Sequence, residues 1–243
     1  MVKKLKNMLY FNMLHFLSKN RPELMRYRFC KGKGLEIGCG GKPIPNLNTI
    51  QIDICDNFNK FKYKVDYIHP CDDMPFFNDN QFDFVINSNV LEHFCNPIKA
   101  IKEWRRVTKN RGFLYLIVPD KRLWCPDRNK DSTSLEHLLK DYHDNVENYP
   151  SNWQQITEPS FQNRHYHFWE MKNLTELFDH LDGFSVVYSI ETPDSVASQI
   201  QKDVADPSLE KMDYNWDLIL KIQKNNKVLR LGHNFELAIQ ILK

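Results

Sequence analysis

The sequence lacks several features that would have fixed its class at once. It has no run of about 18 consecutive apolar residues, so no membrane-spanning helix is expected. Its six cysteines, Cys30, Cys39, Cys55, Cys71, Cys95 and Cys125, are widely spaced and form no Cys-x-x-Cys pair. That spacing argues against a zinc ribbon or a redox dithiol and favours free thiols in a reducing compartment, which points to the cytoplasm. Charge of one sign is missing too. With 33 Lys and Arg against 31 Asp and Glu the formal charge is +2, far from the basic footprint of a nucleic-acid partner. There is no internal repeat, no low-complexity tract, and no signal for an oligomeric state.

What is present is 243 residues, 42% hydrophobic and 26% charged. This suits one full-sized domain, with room for an added lobe and a substantial core. Lys3, Lys4 and Lys6 precede an apolar stretch from Leu9 to Leu17 that superficially resembles a signal peptide. Asn12 and His15 interrupt it, and no small-residue cleavage site follows. An amphipathic helix over Leu5 to Leu17, packed on the domain rather than inserted in a membrane, is the expectation. A short second helix is expected from Arg21 to Phe29.

The organising stretch is Lys33 to Lys42. A strand from Gly34 to Ile37 runs into Gly38, Cys39, Gly40 and Gly41. Glycine permits a sharp turn with positive φ and lets a ligand or another backbone come close. Open α/β sheets build nucleotide sites in the crevice beyond a strand's carboxyl end in this way. Glu36 is unusual in a buried strand, because an unpaired carboxylate is costly there. It reads either as an exposed edge position or as the floor of a ligand pocket. Pro43 and Pro45 forbid a regular helix after the loop, so the first crossover helix is expected to be short or missing.

A second strand, Thr49 to Ile54, carries Asp53 near its end, where an acid can accept from both ribose hydroxyls. Strands are further expected at Val65 to Ile68, Phe84 to Asn87 and Phe113 to Val118. A helix from Pro97 to Thr108 and a turn at Asn110 to Gly112 separate the last two. Strands alternating with helices imply a mostly parallel, doubly wound α/β sheet. From Asp120 to Phe168 the sequence becomes rich in Asp, Arg, His and aromatics, with helical spacing over Leu135 to Val146, and reads as an inserted lobe or lid. Then follow a helix from Glu170 to Leu181 closed by Asp182 and Gly183, strands at Phe184 to Ile190 and Trp216 to Gln223, and a last strand or helix from Lys227. The division is an N-terminal helical segment (1–30), a core (31–119), an inserted substrate-side lobe (120–169) and the second half of the same core (170–243).

Four pieces in order, Leu35 to Gly41, Ile52 to Ile54, Met74 to Asp83 and Asn89 to Phe94, resemble the class I S-adenosylmethionine-dependent methyltransferases of the small type 11 sort. The resemblance covers residues 34–119. It implies a Rossmann-like sheet with an antiparallel C-terminal strand and S-adenosylmethionine as cofactor. Glu36, Gly38, Cys39 and Gly40 would line its amino-acid end, and Asp53 would bind the ribose. Cys71 and Asp72 would reach the adenine, although Pro70 stands where the family often has an acid. Asn87 and Ser88 would lie near the transferring methyl, with Glu92 and His93 supporting the loop. A narrower resemblance, through Pro119 to Arg122, Asp127 and Arg128, Ser134 to Asp141, and Arg164 to Trp169, is to methyltransferases encoded with bacterial capsule and O-antigen synthesis.

Methyl transfer to oxygen needs alignment, desolvation and, for a sugar hydroxyl, a base. A phosphate or phosphoramidate oxygen needs mainly cations. Candidate bases are His165 and His167, two apart on an extended stretch, and His137 with Asp141, four apart on a helix face. Each is otherwise a hydrogen-bonded structural residue. Asp120, Lys121, Arg122, Asp127, Arg128 and Arg164 would clamp a sugar or phosphate, or else form surface ion pairs. Tyr166, Trp124 and Trp169 would stack on a sugar or pack the lid. No metal is expected, since no ligand spacing compels one. The expected partner is a small-molecule or glycan-precursor acceptor. Two rivals stand. A nicotinamide dehydrogenase would want Gly-x-Gly-x-x-Gly running into a helix where Pro43 and Pro45 lie. A non-catalytic, methyltransferase-like assembly protein is the other, and a methyltransferase for an unrelated small molecule would differ only in its acceptor.

Overall fold

The computed structural model describes residues 25–58, 61–123, 126–149, 164–192, 197 and 234–243. The expectations for Leu5 to Leu17, Trp124 and Trp216 to Gln223 lie outside these residues. A seven-stranded sheet carries the fold. Its strands are β1 (Gly34–Ile37), β2 (Thr49–Asp53), β5 (Tyr67–Ile68), β6 (Phe82–Ser88), β7 (Thr108–Pro119), β8 (Phe184–Ile190) and β9 (Asn234–Ile241), and their order is β5-β2-β1-β6-β7-β9-β8. β5, β2, β1, β6 and β7 pair in parallel, while β9 runs antiparallel to both β7 and β8. The expected α/β sheet with an antiparallel C-terminal strand is therefore present, and the undecided tail ends in β9.

Continuous apolar runs make the central strands, as parallel strands covered on both faces require. Side-chain alternation sorts their residues. Leu35, Ile37, Val85, Leu114 and Leu116 face the larger core, while Phe84, Ile86, Tyr115 and Ile117 face the smaller one. Helices α2 (Pro97–Val107), α3 (Leu135–His143) and α4 (Met171–His180) contribute to the larger core. Short α1 (Arg26–Phe29) and the loop bearing Ile44 and Leu47 cover the other face. Glu236 of β9 is buried there, paired with Arg26 at 2.6 Å and with the Tyr115 hydroxyl, which ties α1 to the sheet.

α2 shows how the sequence sets a boundary. Asn96 accepts a hydrogen bond from the Lys99 amide at 3.0 Å, and Pro97 occupies the first turn, where its missing N–H costs nothing. Ile98, Ile101, Trp104 and Val107 form its apolar face and are fully buried. Trp104 also donates to the Cys71 carbonyl at 2.8 Å, fixing the loop after β5.

Several boundaries differ from expectation. The third parallel strand shrinks to Tyr67–Ile68, and both its residues are exposed at the sheet edge. A small antiparallel pair, β3 (Asn57–Phe58) and β4 (Phe61–Lys62), precedes it. α3 stops at His143, short of Val146. β7 already begins at Thr108, so the turn expected at Asn110 to Gly112 is instead a bulge within the strand, where Arg111 is left-handed at φ 64°.

Candidate active site

The strand order reverses between β1 and β6, and open α/β sheets bind ligands in the crevice beyond such a switch. Ile37, the last residue of β1, lies level with Asn87 of β6, which lies level with Leu116 of β7. The glycine loop leaves β1 at this place with Gly38, Gly40 and Gly41 all at positive φ, of 65°, 53° and 73°. Gly38 is needed for space as well. A Cβ there would sit 2.5 Å from Cγ2 of Val90, in the loop after β6. At Gly40 a Cβ would meet nothing within 4 Å, so this part of the loop borders open space.

Glu36 is buried, not at an exposed edge. One carboxylate oxygen accepts from the Ile44 amide at 2.8 Å and the other from Thr49 Oγ1 at 3.1 Å. Glu36 thus replaces the missing crossover helix by pinning the proline loop, although burial still raises its pKa. Asp53, also buried, accepts from the Gly40 amide at 3.0 Å, the Tyr63 hydroxyl at 3.1 Å and the Ile54 amide at 2.8 Å. Burial raises its pKa against the pull of those donors. Half-buried Cys39 is pushed up to about 11, mainly by burial, so it stays a neutral thiol.

Cys71 and Asp72, in the loop after β5, are buried. Asp72 accepts from Asn148 Nδ2 at 2.8 Å and lies 3.2 Å from Lys99 Nζ, so its carboxylate is committed to the inserted lobe and α2. The adenine contact expected of Asp72 would share a carboxylate already held by these two donors. Asn148 also accepts from the Asn96 amide at 2.5 Å, joining the lobe to the cap of α2. Asn87 is fully buried, yet neither its amide nitrogen nor its oxygen has a hydrogen-bond partner. Such an orphan is costly unless a ligand or water completes it. Ser88 follows, partly exposed.

The acceptor-side histidines come together by a backbone stitch. The Tyr166 amide donates to the Glu92 carbonyl at 2.9 Å, His93 Nδ1 bonds the Arg164 carbonyl at 3.0 Å, and His167 Nε2 bonds the Cys95 carbonyl at 3.1 Å. His165 and His167, expected to act from one side, go to different partners. His165 Nδ1 lies 2.5 Å from Asp127 Oδ2, and its ring meets that of His93 with centroids 4.9 Å apart. His167 joins Asp141, at 3.7 Å, while His137 Nε2 lies 3.2 Å from the same Asp141 carboxylate on α3. Burial works against the His165 cation, but Asp127 and Glu92 outweigh it and raise its pKa. Burial and then the neighbouring His165 pull His93 down to about 4, and burial lowers His167. Glu92 is buried, none of its oxygens has a hydrogen-bond partner, and burial lifts its pKa to about 7.

The expected cationic clamp is partly consumed. Asp120 is fully buried and pairs with Arg122, whose guanidinium also meets Glu191 at 2.7 Å and the Thr192 carbonyl at 3.1 Å. These two residues, expected to clamp a substrate, neutralise each other and tie residues 120–122 to the end of β8. Lys121 Nζ lies 3.5 Å from Glu170. Arg128 Nε is buried without a partner, and exposed Arg164 lies over the Tyr166 ring at 5.2 Å. Trp169 is buried in the larger core, so it packs rather than stacks on a sugar. The sequence singled out Glu92 only as support for its loop and Asp127 only as a clamp, and Asn148 carried no signal.

A family model described as a methyltransferase domain matches residues 10–189. The uncharacterized protein MJ0638 of Methanocaldococcus jannaschii is 39% identical over 118 residues, 44% of this chain and 46% of that protein. MJ1123 of the same organism is 34% identical over 137 residues, covering 54% of this chain and 66% of that protein. The chain thus spans about half to two thirds of the curated relatives it matches. Among solved structures, the PH0226 protein of Pyrococcus horikoshii OT3 is similar at a TM-score of 0.47 and 17% identity, covering 91% of this chain and 87% of that one.

Proposed function

The chain belongs to the methyltransferase-domain family, and from that premise we propose that it binds S-adenosylmethionine between β1 and β6 and methylates an oxygen of a small acceptor. The observation that carries the reading is the orphaned Asn87 amide, buried level with the end of β1 and beside an open glycine loop. A polar ligand seated there would complete it. Gly38 and Gly40 would let the cofactor's amino-acid end approach backbone, and Asp53 would exchange its contact with the Tyr63 hydroxyl for the ribose hydroxyls. The cofactor supplies an electrophilic methyl; the chain aligns it, excludes water and receives the acceptor.

The acceptor wall is the group formed by Glu92, His93, His165 and Asp127. Arg128 and Arg164 remain available to hold a charged acceptor, and Tyr166 presents a ring beside Arg164. Because residues 119–141 and 164–169 resemble capsule and O-antigen methyltransferases, the acceptor we favour is a bacterial surface-glycan precursor in the cytoplasm. Methylation falls on a sugar hydroxyl or on a phosphate-type oxygen. The test is release of S-adenosylhomocysteine on incubation with cofactor and a panel of nucleotide sugars, phosphosugars and amines. Turnover with an oxygen acceptor supports the reading, whereas turnover only with amines, or with nothing, contradicts it.

A further inference from the structure

We propose that Glu92, His93 and His165 bind a divalent transition-metal cation that holds the acceptor oxygen, an inference that deepens the methyl-transfer reading and rests on it for its role. One potential ligand atom from each residue lies within 4.8 Å of the others. A tetrahedral ion with bonds of ~2.1 Å sets its ligand atoms ~3.4 Å apart, so modest side-chain rotation closes the set.

The chemistry of the cluster favours a cation over an internal hydrogen-bond network. A carbonyl oxygen only accepts, so His93 Nδ1 must carry the proton in its bond to Arg164, leaving the Nε2 lone pair exposed on the far edge of the ring. That Nε2 lies 3.7 Å from Glu92 Oε1. At that distance no hydrogen bond joins them, and neither Glu92 oxygen has another hydrogen-bond partner. His165 is likewise oriented by a carboxylate, with Nδ1 set against Asp127. Metal-binding histidines are held in this way, each with its second nitrogen on a carboxylate or a carbonyl. Two imidazoles and one carboxylate are a donor set suited to zinc, iron or cobalt with positions left for an exogenous oxygen. The neighbouring trio His137, Asp141 and His167 differs, because His167 Nε2 already donates to the Cys95 carbonyl.

On the metal, an acceptor hydroxyl would lose its proton to solvent more readily. The oxygen would form its bond to the methyl carbon as the carbon–sulfur bond breaks, with that electron pair returning to sulfur. The test is metal analysis and Co²⁺ absorption spectroscopy on the full chain, first stripped with chelator and then titrated with Zn²⁺ or Co²⁺. We expect one equivalent per chain, retained in His137→Ala, lost in the double variant Glu92→Gln/His93→Gln, and bound at least ~10-fold more weakly in Asp127→Asn. Absence of uptake by the wild type, or uptake that depends on His137 and not on Glu92, overturns the proposal. S-adenosylhomocysteine titration of the same samples separates the two readings. Nucleotide binding without metal removes the cation site alone; metal without nucleotide leaves the cation site standing and removes methyl transfer. If the double variant does not fold, the Asp127→Asn affinity and the wild-type Co²⁺ spectrum decide.

Discussion

The two walls of the proposed site are built by opposite means. The cofactor wall is local: Glu36, Gly38, Gly40 and Asp53 lie within 18 residues of chain, and its contacts are largely to backbone amides. The acceptor wall is assembled from a distance. Glu92 and His93 follow β6, Asp127 comes from the segment after β7, and His165 from the segment before α4, brought in by bonds to the carbonyls of Glu92, Arg164 and Cys95 and to Asp127. A wall made of backbone geometry tolerates few substitutions but needs little side-chain chemistry. A wall made of side chains can be altered to suit a different acceptor while the sheet beneath it stays the same, which is how one fold serves many substrates.

Substitutions can break this contrast in graded steps. The largest effect falls at Trp104, buried in the larger core and holding the loop after β5. Trp104→Ala empties a fully buried site and frees the Cys71 carbonyl, and it should cost ~3–5 kcal/mol in urea unfolding. Next comes the glycine loop. Gly38→Ala combines left-handed strain with a collision against Val90, so ~2–3 kcal/mol of stability should go together with nucleotide binding. Gly40→Ala carries the strain without the collision, and should lower nucleotide affinity with only ~1 kcal/mol lost from the fold. If both alanines proved equally harmful to the fold, the open crevice at Gly40 would be disproved.

Asn148→Ala removes a donor from buried Asp72, and a loss of ~1–2 kcal/mol in thermal or urea melts is expected, with S-adenosylhomocysteine affinity changed less than by Gly40→Ala. The smallest effect is a pH dependence. Asp53 has its folded pKa raised by burial, so as pH rises the unfolded chain gives up this proton first. Its contribution to stability is therefore present at low pH and declines as pH climbs from ~3.9 to the folded pKa. Nucleotide affinity moves the other way in the same window, because ribose hydroxyls need the ionised acid, and Asp53→Asn should flatten that profile in calorimetry.

The legibility of the molecule follows the same division. β1, β6, α2 and the glycine loop were readable because apolar runs, a proline opening a helix and clustered glycines are local signals. The β3–β4 pair escaped because two-residue strands leave no periodicity. The partners of Glu36 were hidden although they lie only 8 and 13 residues away, since nothing in a sequence shows that a proline loop folds back onto a strand. Asp72 and Arg122 carried the right charge for ligands, but their contacts with Asn148, Lys99 and Glu191 join distant parts of the chain and leave no local signal. His165 and His167 share an extended stretch, but which carboxylate each would meet depended on where Asp127 and α3 settled.

The central claim, an S-adenosylmethionine site between β1 and β6, is tested most directly by calorimetric titration with S-adenosylhomocysteine, alongside NAD and with Asp53→Ala as control. The account predicts micromolar binding of S-adenosylhomocysteine, no binding of NAD, and loss of the signal in Asp53→Ala. Absence of binding, a preference for NAD, or affinity indifferent to Asp53 would contradict it.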